Sequence, residues 1–218
     1  MTFSSCLTDE DSSLVLDASV VINLLATGHP IPIIGALAMP VVVADNVVRE
    51  IERGAVNGRQ ELDLLTRMID DQVVGVAELE GDALQTFFDL VSGNSSESLG
   101  DGEAATLAFA HGTGGSAAID EKKATRLAAD RFGSLKIVTT IDILAHDTVR
   151  AALGDVRLAD ATLQALRLAR MQVREHQFDW VAWVIGMENV ETCSSLNRLA
   201  KRLAGAANEL TRVAAEQG

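Results

Sequence analysis

The chain has 218 residues, of which 48% are hydrophobic, 22% are charged and only 4% are aromatic. This composition excludes a disordered or fibrous protein and fits one domain with a buried core. The scarcity of aromatic side chains argues against folds that bind RNA by stacking bases on aromatic rings. The formal net charge is −13, and its whole excess lies in residues 1–150, so sequence-independent coating of nucleic acid is not expected.

The cysteines and the N-terminal residues indicate the compartment. Cys6 and Cys193 form neither a metal-binding pair nor a disulfide framework, which predicts a reduced, cytoplasmic protein. The first residues lack the basic start and the apolar stretch of a secretory signal. Residues 18–44 carry no charge, but Pro30, Pro32 and Pro40 interrupt them, so we predict a helix, a loop and a buried strand rather than a membrane span.

Short apolar runs of strand length alternate with segments of helical period along most of the chain. Alternation of this kind predicts an α/β fold with a mainly parallel sheet. The predicted elements are, in chain order, a strand at 14–16, a helix ending at Gly28, a strand at 41–44, helices at 46–53 and 60–70, a strand at 73–77, helices at 79–92 and 102–111, a strand at 116–119, a helix at 121–132, a strand at 135–138, and helices at 141–153, 158–175 and 194–216.

Acidic residues follow the predicted strands where a parallel sheet places its functional crevice, beyond the strands' carboxyl ends. Asp17 comes directly after the first strand and Asp120 directly after the fourth. Glu50 lies on the helix after the second strand, while Asp101 and Glu103 open the helix that leads to the fourth. Because these connections can face the same crevice, we expect the carboxylates to gather there.

Carboxylates that gather in this way need a positive charge among them. They repel one another, and a buried unpaired charge is costly. No lysine or arginine is placed to neutralise all of them, so the sequence predicts a site for Mg²⁺ or Mn²⁺. Such an ion can activate a water molecule and neutralise a phosphoryl oxygen. The four histidines show no metal-binding spacing, and no Ser-His-Asp or Cys-His arrangement competes with this interpretation.

Four segments resemble, in order, the acidic motifs of PIN domains. The fourth is most similar to bacterial and archaeal members of the VapC-like toxin group. The resemblance implies a three-layer α/β/α sandwich with C-terminal helices, and a Mg²⁺- or Mn²⁺-dependent endoribonuclease. Its VapC-like part implies the toxin of a toxin–antitoxin pair. The segments are Asp17-Ala-Ser-Val-Val-Ile22, Val47-Val-Arg-Glu50-Ile, Leu99-Gly-Asp-Gly-Glu103-Ala-Ala and Ala118-Ile-Asp120-Glu-Lys-Lys-Ala-Thr-Arg-Leu-Ala128.

The resemblance also implies a role for each acid. Asp17, Glu103 and Asp120 would bind the metal, and Glu50 would orient or activate a water molecule, so these four would be the catalytic residues. Asp101 is either an additional ligand or a helix cap.

Side chains beside these acids are candidates for supporting the metal or binding the substrate. Ser19 is expected to support Asp17 through a hydrogen bond, and Glu121 could share or displace a ligand role. The basic candidates for gripping a substrate phosphate, for which ordinary surface pairing is an equal alternative, are Arg49, Arg53, Lys122, Lys123 and Arg126.

The remaining expectations concern domains and partners. We expect a flexible N-terminus over 1–12, a PIN-like nuclease domain over 13–190 and a C-terminal helical tail over 191–218. RNA is the expected substrate, an inhibitory antitoxin protein an expected partner, and a homodimer the expected assembly. The alternative is a catalytically quiet PIN-like module that binds protein or RNA. Loss of one or more of the four acids would favour that alternative, and this chain retains all four.

Two further groups of side chains could contact partners. Trp180 and Trp183 lie beside Phe178 and predict either core packing or a dimer seam. Arg167, Arg170 and Arg174 form a helical stripe, which by default faces solvent and otherwise contacts a partner. A phosphatase of the haloacid-dehalogenase type is disfavoured, because its Asp-Xaa-Asp motif is absent after the first strand.

Overall fold

The computed structural model describes residues 3–56, 61–92 and 98–216. Its strands are β1 Leu14–Leu16, β2 Val41–Ala44, β3 Gly75–Ala77, β4 Ser116–Ala118 and β5 Ile137–Val138. Within the described residues they form one sheet, in which every neighbouring pair is parallel, in the order β3-β2-β1-β4-β5. All residues of β1 and β4 are buried, as expected for continuous apolar strands covered on both faces.

Helices cover both faces of this sheet and complete a three-layer α/β/α sandwich, which confirms the predicted fold class. The helices are α1 Ala18–Ala26, α2 Pro30–Gly35, α3 Asp45–Val56, α4 Glu61–Asp70, α5 Gly81–Val91, α6 Asp101–Thr113, α7 Lys122–Arg131, α8 Thr140–Ala145, α9 Asp147–Leu168, α10 Phe178–Ile185, α11 Met187–Val190 and α12 Ser194–Glu216. One layer contains α6 with α5 and α7 beside it, and the other contains α9 against α1 and α2. Among the described residues, no helix is both long and apolar enough to cross a bilayer.

The register of the central strands brings three chain segments to one edge of the sheet. Leu16 of β1 pairs with Ala118 of β4, which pairs in turn with Val138 of β5. The ladder continues past the strands, because Asp17 N donates to Ala118 O over 3.1 Å and Ile119 N donates to Val138 O over 2.9 Å. The residues that follow β1, β4 and β5 therefore begin side by side.

Small side chains let α6 pack closely on the sheet. Ala104, Ala105, Leu107 and Ala108 have no exposed surface, and α6 packs against β1, β2 and β4. Alanine adds little volume between the helix axis and the strands, so the helix backbone approaches the sheet. This packing places the first turn of α6 at the carboxyl edge of β1.

Two helices in the first third of the chain differ from the prediction. The loop predicted after Gly28 contains the short helix α2, whose first residue is Pro30. Proline suits the first turn of a helix, where its missing N–H would have no partner and its fixed φ is already helical. The helix predicted to end at Gly54 continues through it to the end of α3.

The helices after β5 also differ from the prediction. The predicted helix at 141–153 is divided at His146, whose extended backbone separates α8 from α9. The predicted helix at 158–175 ends at Leu168, whereas the predicted break between 153 and 158 agrees with the change of direction of α9 at Gly154, which has a φ of +67°. Helices α10 and α11 were not predicted, because their short apolar segments carry no clear helical period.

Residues 3–12, within the predicted flexible N-terminus, lie against β5 and α8. Cys6 N donates to Asp142 Oδ1 over 3.2 Å, and Lys136 Nζ lies 2.7 Å from Asp11 Oδ2. Leu7 is buried in the core. These contacts attach the segment to the domain.

Candidate active site

A pocket of about 1080 Å³ opens at the carboxyl edge of the sheet, and acidic side chains dominate its polar lining. The four acids expected to be catalytic come from four separate segments of the chain, and all of them line this pocket. Its charged and polar lining residues are Asp17, Ser19, Asn23, Glu50, Glu103, Asp120, Glu121, Arg170 and Gln172.

Asp17 caps α1 and turns its carboxylate towards the first turn of that helix. Its Oδ2 accepts hydrogen bonds from Ser19 Oγ over 2.7 Å and from Ser19 N over 3.3 Å, so the expected contact with Ser19 is present. Burial raises the pKa of Asp17 and the charge of Glu121 adds to the rise, which outweighs the lowering by the bonds from Ser19. Ionised Asp17 is therefore costly unless a cation lies near it.

Asp120 is buried at the end of β4, and groups from two other segments hold it. Its Oδ1 accepts from Thr140 N over 2.9 Å, and its Oδ2 accepts from Thr140 Oγ1 over 2.5 Å and from Asn23 Nδ2 over 2.7 Å. Burial raises the pKa of Asp120 despite these bonds, with a further rise from the charge of Asp17. The network fixes the orientation of a carboxylate that is only 3% exposed.

Glu103 and Glu50 meet at the first turn of α6. Glu103 Oε2 accepts from Gly100 N over 3.2 Å, and Glu50 accepts a hydrogen bond from Gly102 N. A Cβ atom at Gly102 would overlap Glu50 Oε2 and would lie 3.4 Å from Asp17 Oδ1. Glycine at this position therefore leaves the space in which two of the carboxylates approach each other.

Mutual repulsion adds to the effect of burial on these two glutamates. Burial raises the pKa of Glu50, and the charges of Asp17 and Asp101 raise it further. Burial also raises the pKa of Glu103, with additions from Asp17, Glu121 and Glu50. The four acids thus form one electrostatically coupled group, although Glu50 lies at the exposed rim of the pocket.

The two uncertain acids are placed differently. Asp101 is the first residue of α6, with Gly100 as the N-cap, so the helix-cap alternative is wrong for Asp101. Its exposed carboxylate lies 3.9 Å from Arg53 Nη1 and does not line the pocket. Glu121 does line the pocket, and its Oε2 accepts from Gln172 Nε2 over 3.5 Å.

Of the residues expected to bind substrate, Ser19 alone lines the acidic pocket among those the structure describes. Arg49 pairs with Asp45 within α3, which is the ordinary surface pairing left open by the sequence. Lys123 Nζ donates to Ser98 O over 2.6 Å. Lys122 lines a second, neighbouring pocket, and neither Arg53 nor Arg126 lines either pocket.

The arginine stripe does not act as one surface. Arg174 Nη2 donates to Thr125 Oγ1 over 2.9 Å, and Arg167 Nη2 donates to Thr192 Oγ1 over 3.0 Å. Both therefore brace neighbouring segments of the domain. Arg170 lines the acidic pocket.

Sequence reasoning missed Asn23 and Thr140, the two side chains that hold Asp120. Thr140 could have been found, because it follows the fifth strand at the edge where Asp17 follows the first. Asn23 had a weaker signal, because it is one of two polar residues, with Ser19, on an otherwise apolar helix. Its burial at 4% exposure is explained by its bonds to Asp120 and Thr140.

The pocket's chemistry fits a hard divalent cation. Among the described residues, no three His, Cys, Asp or Glu side chains lie close enough to hold one ion directly as they are placed. Mg²⁺ needs only one or two carboxylates, because waters and substrate phosphates complete its shell. The oxygen-rich lining meets that requirement, with carboxylates that Asp17, Glu103 and Asp120 would offer to the ion directly or through bound water.

The acids gathered at the carboxyl edge of this parallel three-layer sandwich lie where open α/β folds place their functional sites. A family model described as a PIN domain matches residues 13–180, which include all the strands given above and all four acids. The chain therefore belongs to the PIN-domain family, whose members are generally nucleases and typically use divalent metals. No curated protein and no solved structure gives a significant match.

Proposed function

We propose that the protein is a Mg²⁺- or Mn²⁺-dependent endoribonuclease that hydrolyses phosphodiester bonds in RNA. The observation that carries the proposal is the gathering of Asp17, Glu50, Glu103 and Asp120 in one pocket, where burial and mutual repulsion raise the pKa of each. A protein pays this electrostatic cost where a cation or a reaction uses the charge. Family membership supports a nuclease and is silent on which nucleic acid is cut.

Each acid has a task that its surroundings support. Asp17, Glu103 and Asp120 would hold the ion, directly or through bound water, with Asp17 oriented by Ser19 and Asp120 by Thr140 and Asn23. When bound, the ion supplies charge neutralisation at the phosphoryl oxygen and lowers the pKa of a water molecule.

Glu50 lies at the open rim, where a water molecule can reach it, and its raised pKa makes its carboxylate a stronger proton acceptor. Hydrolysis adds the water oxygen to phosphorus, breaks one P–O bond and returns a proton to the leaving oxygen.

Cleavage of a single-stranded RNA by purified protein in Mn²⁺ or Mg²⁺ tests the proposal. Asp17→Asn and Asp120→Asn should each lower the rate of RNA cleavage by more than about 10–100-fold, which is the loss typical when a group that only supports a metal ligand is removed. Asp45→Asn is the matched control, because Asp45 follows β2 at the same edge of the sheet but does not line the pocket.

The possible outcomes of this experiment separate the candidate functions. Equal cleavage by all variants would show that a contaminating nuclease or a different site is responsible. Binding of RNA by the wild type without cleavage in either metal would favour the catalytically quiet binding module.

The biological role that we propose is that of the toxin in a toxin–antitoxin pair, acting on cytoplasmic RNA and held inactive by an antitoxin protein. The support is the similarity of the segment from Ala118 to Ala128 to VapC-like proteins. Exposed apolar side chains on α10 and α11 are available to a second copy or a partner: Trp183 and Met187 are each 66% exposed. Trp180 instead packs in the core.

Two measurements test this role. Light scattering of the purified protein should give the mass of a dimer, and native co-purification with mass spectrometry should identify a small companion chain. A monomer that purifies without a companion and leaves growth unchanged when expressed would contradict the toxin assignment.

A further inference from the structure

A second pocket of about 560 Å³ adjoins the acidic one and has the opposite charge. The two pockets share Arg170 and Gln172 in their walls, so they are continuous at that point. No acidic residue lines the second pocket within the described part of the chain. Its cationic lining residues, from α7, the turn after α9, and α12, are Lys122, Arg170, Arg198 and Arg202.

Three of these cations have no partner among the residues that the structure describes. Arg202 Nη2 lies 2.6 Å from Glu175 Oε1, which neutralises it. Lys122, Arg170 and Arg198 form no hydrogen bond or ion pair with any residue that the structure describes, and all three are exposed. Unopposed positive charges converge on one cavity here, although the chain as a whole has a net charge of −13. Such a cluster attracts an anion locally while most of the surface repels it.

The backbone at Arg170 holds its side chain between the pockets. Arg170 follows the end of α9 in the left-handed conformation, with a φ of +56°, where glycine is the usual residue. The turn is closed by Met171 N, which donates to Ala165 O over 3.2 Å. The chain thus carries an arginine at a position where the backbone favours glycine, and an interaction made by the side chain would explain its presence.

We propose that the pocket lined by Lys122, Arg170 and Arg198 is a phosphate-binding subsite for the RNA strand beside the cleaved bond. The inference rests on the proposed function, and it assigns a place to the neighbouring backbone phosphates. Arginine side chains bind phosphate oxygens through paired N–H donors. Because the net charge repels RNA at long range, binding energy must come from a local cluster, and this cluster opens into the acidic pocket.

The continuity of the two pockets favours RNA over an acidic polypeptide as the occupant. A strand with its scissile phosphate among the acids would extend past Arg170 into the basic pocket, where its next phosphates would meet Arg198 and Lys122. Ser194, at the start of α12, also lines the pocket, so the helix terminus adds a favourable dipole. Arg198 lies on α12, beyond the matched residues 13–180, so its part of the subsite falls outside the matched region.

The experiment measures RNA binding without cleavage. A short fluorescein-labelled single-stranded oligoribonucleotide is titrated in EDTA at several salt concentrations, and its anisotropy is followed. Arg170→Ala and Arg198→Ala should each weaken binding and lower the slope of log K against log salt by about 0.7, the value for one phosphate contact on a single strand. Arg198→Lys should keep most of the slope. Arg157→Ala is the matched control, because Arg157 donates to Leu153 O in its own helix and lines neither pocket.

The outcomes separate this inference from the nuclease proposal. Weaker binding by the two variants supports the subsite even if the wild type cleaves nothing in Mn²⁺. Unchanged RNA binding overturns the subsite even if the wild type is an active nuclease, and so does a wild type that does not bind the oligonucleotide. The subsite would also be overturned if Arg170→Ala and Arg198→Ala lost binding to a labelled oligoglutamate peptide but bound RNA as the wild type does. That result would identify a docking site for an acidic polypeptide.

Discussion

Thr140 holds both carboxylate oxygens of Asp120. Its backbone N–H donates to Oδ1 over 2.9 Å, and its hydroxyl donates to Oδ2 over 2.5 Å. Thr140 is the first residue of α8, which begins just after β5, and Asp120 lies just beyond the neighbouring strand β4. The spacing of adjacent parallel strands therefore determines the orientation of an acid that we propose to bind the metal.

Removal of the Thr140 hydroxyl should shift the pH dependence of activity. Thr140→Val keeps the shape of the side chain but removes a hydrogen bond that lowers the pKa of Asp120, so that pKa should rise further. We expect the acidic limb of the pH–rate profile to move to higher pH, with activity partly recovered in alkaline buffer. The free energy of unfolding should fall by about 1–3 kcal/mol.

Thr162→Val provides the control for this prediction. Thr162 is equally buried, and its hydroxyl donates to Leu158 O within α9 over 2.7 Å, away from the pocket. Its replacement should change stability and leave the pH–rate profile in place. An identical profile for Thr140→Val and the wild type would contradict a role for Thr140 in positioning Asp120.

Addition of one methyl group at Gly102 should impair activity without weakening the fold. The new Cβ would overlap Glu50 Oε2 and displace that carboxylate from Gly102 N, while alanine is favoured over glycine in a helix by about 0.5–1 kcal/mol. We expect Gly102→Ala to melt close to the wild-type temperature and to cleave RNA about 100-fold more slowly, as small misplacements of catalytic groups can cause. Wild-type kinetics in this variant would show that the position of Glu50 is unimportant.

The stability of the metal-free protein should fall as pH rises. Asp17, Glu50, Glu103 and Asp120 have raised pKa values in the folded protein, so they bind protons more tightly when folded than when unfolded. Their contribution to stability is complete below the ordinary pKa values, which are 3.8 for Asp and 4.5 for Glu. It is lost as the pH rises from there through the raised pKa values of the folded protein.

Mn²⁺ should restore this lost stability, because it binds the ionised carboxylates of the folded state. Thermal melts in EDTA and in Mn²⁺ should show a larger metal-induced rise in Tm at about pH 7 than at about pH 5. The rise should disappear in Asp17→Asn. A rise that is equal at both pH values, or that persists in this variant, would place the metal elsewhere.

Replacement of Arg170 by glycine should separate folding from substrate binding. The left-handed backbone at this position costs a residue other than glycine about 1–3 kcal/mol, so glycine relieves strain in the folded protein. The greater conformational freedom of glycine in the unfolded chain offsets this gain in stability. We expect Arg170→Gly to be about as stable as the wild type while it raises the KM for RNA and leaves kcat nearly unchanged. A fall in kcat at unchanged KM would assign Arg170 to the chemical step instead.

The parts of the fold that the sequence determined are those with continuous local signals. Apolar runs such as 14–16 and 41–44 identified buried strands, because a strand covered on both faces must be apolar along its length. Helices after β5 were predicted less well. The break at His146 depends on its extended backbone, and the end of α9 at Leu168 on a turn formed with an arginine in place of glycine.

The sequence by itself also placed Asp17 and Asp120 at the candidate site, since each follows a strand and parallel strands end at one edge, whereas the structure decided that Glu103 and not Asp101 lines the pocket. Only the tertiary structure decided which neighbours hold them and which basic side chains face them. Thr140 and Asn23 reach Asp120 because strand order and helix packing bring distant segments within hydrogen-bond distance, and pattern along the chain does not encode those distances. For the same reason only the structure shows that Arg170 and Arg198, from different elements, line one pocket, whereas the pairing of Arg49 with Asp45 is a local contact within one helix.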